Sequence, residues 1–438
     1  MTFRDYLQQL DQAGQLCHVD LPVSKTYEAS GILKALEPKS ALFEKINESA
    51  FPVAGGLFTG KAPLARYFKL PPDQLIPALA QAIHSPQTPR RVEQAPCHQV
   101  VNLQPDLDDL PILRHCQQDG GNYISSGVVV SLHPRWGQNL DFHRFMQISK
   151  TELAVRVVRG RHFDTFLKDQ KRMPAAICVG VPPAALIAGA TSVDMGVDEL
   201  GIANALQPLD VVRAKTVDLW VPAESEFVIE GFVDLERLHP EGPFVDLTGT
   251  YDIVRDQPVF EVTAVTHRTD AIWHALLPGG LEHKLLMGMP REPTIFARVN
   301  QVVECLDVHI TPGGASWLHA VVKIRKQNEN DGKAAIEAAF AGHRSCKHVF
   351  VVDEDIDIYD PHQVEWAMAT RFQGDRDLVI KPPEQGSSLD PSADPSTHFT
   401  TKMGFDLTAP LGEAGAGFQK AQFPTVQLDP YFSKQANS

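Results

Sequence analysis

Residues 211–234, VVRAKTVDLWVPAESEFVIEGFVD, alternate apolar and polar side chains on both sides of Pro222. A period of two predicts β-strands, and the proline predicts a break between two of them. Many short strands separated by proline and glycine turns indicate a barrel or a sandwich. Further strands of this kind are predicted at 125–134, 152–160 and 258–268.

Three domains are predicted along the chain, because 438 residues are too many for one ordinary hydrophobic core. Residues 1–100 mix helices with short apolar strands, and residues 101–300 hold the strand-rich domain. Over residues 301–438, strands and helices alternate with the spacing of βαβ units before a tail. The predicted fold class is therefore mixed α/β (α+β).

The composition is that of a globular protein, with 43% hydrophobic and 21% charged residues. No run of about 18 apolar residues occurs, so no membrane span is expected. A net charge of −14 without a long basic segment argues against nucleic acid as a partner. The first residues lack the basic and apolar regions of a secretory signal, and the six cysteines show no CxxC spacing. A cytoplasmic protein with reduced thiols is expected.

Four polar residues lie in short segments suited to binding a metal and a phosphate. Asn139 and Arg144 lie in NLDFHR, His162 follows in VRGRHF, and Glu230 lies in SEFVIEG. An amide oxygen, an imidazole and a carboxylate form a mixed N/O site for a hard cation such as Mn²⁺ or Mg²⁺. Because the set contains no thiolate, a structural zinc is not expected.

Two glutamates stand among apolar neighbours. Glu230 lies in the predicted strand FVIEGF, where a buried carboxylate needs a partner or a metal. Glu282 lies in ALLPGGLEHKLLMG, where burial would raise its pKa and suit it to donate a proton. Simpler interpretations remain open: Glu282 on the wet face of a helix, His162 as an ordinary histidine, and Asn139 as a turn residue.

Together these segments resemble the UbiD family of decarboxylases over nearly the whole chain. NLDFHR is similar to the family's metal-ligand and catalytic-arginine segment, and SEFVIEG is similar to its metal-binding glutamate strand. Three other segments add to the resemblance: GPFVDLTGTY at 242–251, LEHKLLMG at 281–288 and TTKMGFDLT at 400–408. The order and number of these motifs make the resemblance specific.

The resemblance implies a flavoprotein with a split β-barrel domain for prenylated FMN and a C-terminal α/β oligomerisation domain. A divalent Mn²⁺ or Mg²⁺, bound by Asn139, His162 and Glu230, would hold the cofactor phosphate. Arg161 and Lys402 would contact the cofactor, as would Arg144, and a K⁺ ion would lie nearby. A flavin prenyltransferase would supply the cofactor, and the chain would form a homo-oligomer, either a dimer or a dimer-based hexamer.

The resemblance also implies the reaction, a reversible non-oxidative decarboxylation that releases CO₂. Glu282 would donate the proton, and Arg144 would pair with it and with the substrate carboxylate. The substrate would be an aromatic, heteroaromatic or α,β-unsaturated carboxylic acid. LLPGGLEHKLLMGMPREP at 276–293 resembles members that act on heteroaromatic acids, which makes His283 and Arg291 candidates for substrate contact.

The sequence leaves other interpretations open. His283 could lie on a helix surface, and Arg291 could be a capping charge. The protein could be a flavin-binding subunit without catalytic activity, or a hydrolase that uses the same metal ligands with a bound water.

Overall fold

The computed structural model describes residues 1–418, 421 and 424–427. The tail of the third predicted domain therefore lies partly outside the described residues. The N-terminal part places four helices around a small sheet. Its elements are α1 Phe3–Gln12, β1 Leu16–Val19, α2 Glu28–Leu36, β2 Ser40–Phe43, β3 Val53–Gly55, α3 Lys61–Tyr67 and α4 Leu75–His84.

The first helix illustrates how the sequence determines these elements. Thr2 caps α1 through a reciprocal capping box with Asp5. Phe3, Tyr6 and Leu10 recur on one face of the helix and are buried in the core.

The central part contains most of the strands. Its strands before the first central helix are β4 Arg90–Val92, β5 Val100–Asn102, β6 Tyr123–Ile124, β7 Val128–His133, β8 Gly137–Phe142, β9 Phe145–Gln147 and β10 Glu152–Val155. The next elements are α5 His162–Gln170, β11 Arg172–Val179, α6 Pro183–Ala190, α7 Glu199–Leu206, β12 Asp210–Arg213, β13 Trp220–Pro222 and β14 Phe227–Glu241. The part ends with β15 Phe244–Val245, β16 Tyr251–Asp252, β17 Arg255–His267, β18 Trp273–Ala275, α8 Leu281–Gly288 and α9 Glu292–Val299.

A nine-stranded sheet forms the middle of the molecule. Its strands follow the order β6-β9-β10-β17-β14-β11-β7-β8, and β5 pairs with β17. Within the described residues, the end strands β6 and β8 do not pair with each other, so the sheet stays open. Helix α5 packs on one face with Phe163 and Phe166, whereas α6 packs on the other face with Leu186 and Ile187.

The C-terminal part is a five-stranded sheet with a helix on each face. The strand order is β19-β20-β21-β23-β22, and β20 and β21 pair in parallel, as βαβ spacing requires. Its elements are β19 Glu304–Ile310, β20 His319–Arg325, α10 Asp331–Gly342, β21 His348–Val352, α11 Pro361–Arg371, β22 Leu378–Gln385 and β23 Phe399–Asp406.

The predicted mixed α/β class is confirmed, with differences in detail. The segment 211–234 forms three strands instead of two, and the last of them, β14, continues to Glu241. Strand β18 joins the N-terminal sheet beside β3, so the N-terminal part is completed by a segment from the central part. The three domain boundaries stay predictions.

None of the helices in the described part of the chain is long and apolar enough to cross a membrane. The cytoplasmic location stays a prediction.

Candidate active site

Arg144 lies between β8 and β9, where its guanidinium contacts the carboxylate of Glu241. Nε donates to one carboxylate oxygen at 2.8 Å, and Nη2 donates to the other at 3.0 Å. Glu241 is fully buried and also accepts a hydrogen bond from the Tyr123 hydroxyl at 3.2 Å. Burial opposes the charge of Arg144, but the hydrogen bond and charge of Glu241 outweigh burial and raise the pKa of the guanidinium. This two-point contact fixes the orientation of a charged arginine.

Two more carboxylates surround the same guanidinium. Nη2 of Arg144 donates to Asp252 at 3.0 Å, and Nη1 lies 4.0 Å from Oδ2 of Asp246. Among the residues that the structure describes, Nη1 donates no hydrogen bond and Oδ2 of Asp246 accepts none. A free guanidinium edge beside a free carboxylate oxygen is suited to binding a carboxylic acid and to moving a proton.

The backbone around Glu241 explains how these groups meet. Strand β14 ends at Glu241, and Gly242 adopts a φ of +103°, a conformation that suits glycine and turns the chain. In the short hairpin that follows, Phe244 of β15 pairs with Asp252 of β16. The Phe244 ring lies 4.9 Å from the guanidinium of Arg144, so the hairpin supplies both an aromatic face and a carboxylate.

Asn139 and His162 meet at the edge strand β8. Nδ1 of His162, the first residue of α5, donates to Oδ1 of Asn139 at 2.9 Å, while Nδ2 of Asn139 is buried without a hydrogen-bond partner in the described residues. Glu199 begins α7, and its carboxylate accepts the backbone N–H of Leu140 at 2.9 Å, next to Asn139. Burial raises the pKa of Glu199 to about 8.

The described chain holds no cluster of three or more His, Cys, Asp or Glu that suits a metal, so any metal set here must include the amide of Asn139. The two ligand atoms of Asn139 and His162 have a suitable spacing. Ligand atoms bound at about 2.1 Å and at right angles on one cation lie about 3 Å apart. Asn139 and His162 therefore fit a small divalent cation in donor type and in spacing, and Glu199, which is bound next to Asn139, offers a carboxylate nearby.

Glu230 does not join this group, which corrects the predicted metal set. Through β11 and β7 it aligns with Leu140, the neighbour of Asn139, and adjacent residues of a strand point to opposite faces. Three strand spacings also separate Glu230 from β8, about 14 Å, whereas two ligands of one such cation lie within about 4.2 Å. The carboxylate instead accepts hydrogen bonds from the backbone N–H groups of Lys215 and Thr216 and from the Thr216 hydroxyl.

Glu282 does not contact Arg144, which corrects the predicted proton-donor pair. It is buried, and Oε1 lies 2.8 Å from Nε2 of His274, whose ring packs against Phe3 and Phe58. The Glu282 side chain thus faces the N-terminal core. Because Glu282 is buried, the alternative that it lies on a solvent-exposed face of the helix is also excluded.

His283, the next residue on α8, faces the other way. Its Nδ1 accepts the backbone N–H of Gly279 at 3.0 Å, so the neutral ring carries its hydrogen on Nε2. Burial lowers the pKa of His283, and the charge of Arg144 also lowers it, against a raising effect from Asp246. The charges of Asp246 and Arg144 thus both act on His283, and its contact with the substrate stays a prediction.

Arg291 precedes α9 and is stacked over the Trp317 ring at 5.2 Å. Burial first, and then the positive charge of Arg161, lower its pKa to about 10. Neither arginine forms an ion pair with a carboxylate in the described part of the chain, and Nε of Arg291 is buried without a hydrogen-bond partner there. Two neighbouring cations without counter-ions form a site for an anion.

Lys402 lies on β23 close to the same cations. Its ammonium donates to the carbonyl oxygen of Arg344 at 2.6 Å and pairs with Glu384 at 3.1 Å. The pKa of the buried His343 falls to about 3 through burial first, and then through the charges of Arg291, Lys402 and Arg161. The three cations therefore act on one region, although Lys402 already has a carboxylate partner.

Sequence reasoning missed Glu199, Glu241 and Asp246. Glu199 follows the helix cap Asp198 in an otherwise apolar helix, ELGIANAL, which is a signal for a buried carboxylate. Glu241 directly precedes the segment GPFVDLTGTY, and Asp246 lies within it. This segment is one of the motifs that resemble the family, but the resemblance assigns none of its residues to the site.

Three family models match consecutive parts of the chain. They are the N-terminal domain of 3-octaprenyl-4-hydroxybenzoate carboxy-lyase over residues 7–83, its Rift-related domain over residues 90–281, and its C-terminal domain over residues 284–407. The matches follow the order of the three structural parts.

Relatives and solved structures agree with these matches. Anhydromevalonate phosphate decarboxylase of Methanothermobacter thermautotrophicus is 41% identical over 94% of this chain and 97% of that protein. The UbiD-class enzyme HmfF of Pelotomaculum thermopropionicum, in complex with FMN, superimposes with a TM-score of 0.94 at 36% identity, covering 99% of this chain and 100% of HmfF. An evolved dimeric form of HmfF in complex with prenylated FMN gives a TM-score of 0.90 at 35% identity, covering 98% of this chain and all of that one.

Proposed function

Because the chain belongs to the UbiD family of decarboxylases, we propose that it removes CO₂ from an α,β-unsaturated carboxylic acid with the help of prenylated FMN. The observation that carries this proposal is the fixed guanidinium of Arg144, whose Nη1 lies 4.0 Å from Oδ2 of Asp246. Neither atom has a hydrogen bond within the described residues. When bound, prenylated FMN would supply the electron sink that decarboxylation at an unsaturated carbon requires.

Each residue of this group has a separate task. Glu241 has both oxygens engaged by Arg144, so it orients the guanidinium and is poorly placed to exchange a proton. Nη1 of Arg144 binds the substrate carboxylate. Asp246 holds the proton on its free Oδ2 and gives it to the carbon that loses CO₂, which replaces Glu282 as the proposed donor.

Residues at the edge of the sheet would hold the cofactor phosphate. Asn139, His162 and Glu199 would hold a Mn²⁺ or Mg²⁺ ion, which would supply positive charge for the cofactor phosphate. Arg161 adjoins His162 in the sequence and would add a positive charge to the same phosphate, and Lys402 lies in the same cationic region. The nearby K⁺ and the homo-oligomer stay predictions; a solved relative is an evolved dimeric form.

Arg291 forms no ion pair within the described residues, and this supports a substrate that carries a second anionic group. The relative named above acts on anhydromevalonate phosphate, which by its name combines a dehydrated acid with a phosphate. Arg291 would bind that phosphate, and Nε2–H of His283 would contact the acid near Arg144. The sequence predicts aromatic and heteroaromatic acids as substrates, and these acids are the compounds against which anhydromevalonate phosphate is compared.

The test is a substrate panel on holoenzyme made by co-expression with a flavin prenyltransferase. CO₂ release should be fastest with anhydromevalonate phosphate and slower with dehydrated mevalonate that lacks the phosphate. Furoate, benzoate and cinnamate derivatives complete the panel. Faster turnover of an aromatic acid than of anhydromevalonate phosphate would contradict the proposed substrate, and no turnover of any acid would contradict the proposed activity.

A further inference from the structure

Asp252 is bound to two arginines, Arg144 between β8 and β9 and Arg255 in β17. Its Oδ2 accepts a hydrogen bond from Nη2 of Arg144 at 3.0 Å, and its Oδ1 accepts one from Nη1 of Arg255 at 2.6 Å. Nε of Arg156 lies 3.6 Å from the same Oδ2. One carboxylate thus joins the arginine of the site to two arginines outside it.

The position of Asp252 is set by the backbone. Asp252 pairs with Phe244 across the β15–β16 hairpin, and its Oδ1 also accepts the backbone N–H of Ile253 at 2.9 Å. Because Phe244 packs under the guanidinium of Arg144, the hairpin fixes the ring and the carboxylate together. Asp252 is therefore part of a built contact and not a mobile surface acid.

Asp252 adds a carboxylate to the charged groups around Arg144. The three carboxylates Glu241, Asp246 and Asp252 face three guanidinium groups. Burial would raise the pKa of Asp252, but the hydrogen bond from Arg255 and the charges of Arg144, Arg255 and Arg156 lower it below its usual value. The ionised carboxylate offsets part of the positive charge of the two outer cations, Arg156 and Arg255.

These two arginines would otherwise compete with Arg144. A substrate carboxylate near Nη1 is attracted by every unpaired cation within a few ångströms, because Coulomb attraction is weakly screened in a partly buried site. A carboxylate displaced by about 1 Å from its productive position can lose about 100-fold in rate. The carboxylate of Asp252 counters this competition and also holds the second N–H of Nη2.

We propose that Asp252 is a positioning residue for decarboxylation, which fixes Arg144 through the second N–H of Nη2 and keeps Arg156 and Arg255 away from the substrate carboxylate. This role rests on the proposed function of the Arg144 group. It predicts that losing Asp252 changes the placement of the bound acid more than the strength of its binding.

The test compares Asp252→Asn with Asp256→Asn in the holoenzyme. Asp256 is exposed near the start of the next strand, β17, and forms no ion pair in the described residues. The same Asp→Asn change there therefore leaves the contact with Arg144 intact. With equal flavin content, Asp252→Asn should lower kcat about tenfold or more while KM changes less than about twofold. Asp256→Asn should match the wild type in both constants.

A double variant separates positioning from general damage. If Arg255 acts through Asp252, Asp252→Asn combined with Arg255→Gln should lose no more activity than Asp252→Asn alone. A crystal structure of Asp252→Asn, which needs no substrate, should show the guanidinium of Arg144 displaced from its wild-type position.

Other results would overturn the inference in distinguishable ways. If the wild type is active, and Asp252→Asn keeps the wild-type kcat and the wild-type position of Arg144, the positioning role of Asp252 is rejected. The proposed function would then still stand. A raised KM at unchanged kcat would assign Asp252 to binding strength instead of positioning. Wild-type enzyme that releases no CO₂ from any acid of the panel would overturn the proposed function itself.

Discussion

Arg144 and Glu241 are 97 residues apart in the sequence, yet they form a two-point contact with N–O distances of 2.8 and 3.0 Å. The contact exists because β14 continues to Glu241 while Arg144 leaves β8 at the far end of the same sheet. It holds the guanidinium so that Nη1 points to the open side, where Asp246 lies.

The relocated metal set can be tested with one pair of variants. Glu199→Gln should lose most bound Mn²⁺ and much of the flavin, since one of three protein ligands loses its charge. Glu230→Gln should keep both and instead lower the free energy of unfolding by about 1–3 kcal/mol, because a buried acceptor of three hydrogen bonds is weakened. Metal analysis and flavin absorbance of the two purified proteins decide the matter. Metal loss in Glu230→Gln with full occupancy in Glu199→Gln would restore the original assignment.

Arg291→Gln should raise KM for anhydromevalonate phosphate about tenfold or more, because a charge-assisted contact to the phosphate contributes roughly 1.5–3 kcal/mol. KM for the same acid without its phosphate should change little. Arg298→Gln is the matched control, since Arg298 is exposed on the helix that follows Arg291. Equal changes for both acids would remove Arg291 from the phosphate contact.

Glu282→Gln should mainly reduce stability. The substitution replaces the charged partner of His274 in an apolar surrounding, which costs about 1–3 kcal/mol in the free energy of unfolding. Turnover of the folded enzyme should remain within about threefold of the wild type, because Glu282 does not face Arg144. Denaturant unfolding and steady-state kinetics on one preparation measure both quantities. Unchanged stability with a large loss of kcat would return Glu282 to the chemistry.

Local patterns were sufficient for part of the site. Asn139 and His162 were grouped from the sequence, and the structure places them 2.9 Å apart. The sequence also predicts that Arg144 binds the substrate carboxylate, and that role stays a prediction. The three residues lie within about 25 positions, on strand β8, directly after it and at the start of α5, so short motifs describe their surroundings.

The glutamates were harder to assign because burial alone does not identify a partner. Glu230 and Glu282 both lie among apolar residues, as expected. Backbone amides bind the carboxylate of Glu230, whereas His274 contacts only Oε1 of Glu282. The partners of Glu199 and Glu241 come from distant strands. Their roles depend on strand order and on a strand end at residue 241, and neither follows from a period-two pattern in one segment.

The predicted end of the strand at residue 234 had the largest effect on the predicted site. Ending the predicted strand at 234 left Glu241 outside any element, whereas β14 bends at a register shift between Asp234 and Leu238 and then continues. Such a bulge interrupts the alternation of apolar and polar residues, so the pattern no longer signals a strand. The hairpin that carries Asp246 and Asp252 depends on this continuation.

The most direct test of the account is the rate of CO₂ release by Asp246→Asn holoenzyme, with Glu282→Gln measured in parallel at equal flavin content. If Asp246 donates the proton beside Nη1 of Arg144, Asp246→Asn should lower kcat by roughly 10²–10⁴-fold, the usual contribution of a positioned general acid. Glu282→Gln should stay within about threefold of the wild type. Near wild-type turnover in Asp246→Asn would contradict the proposed site.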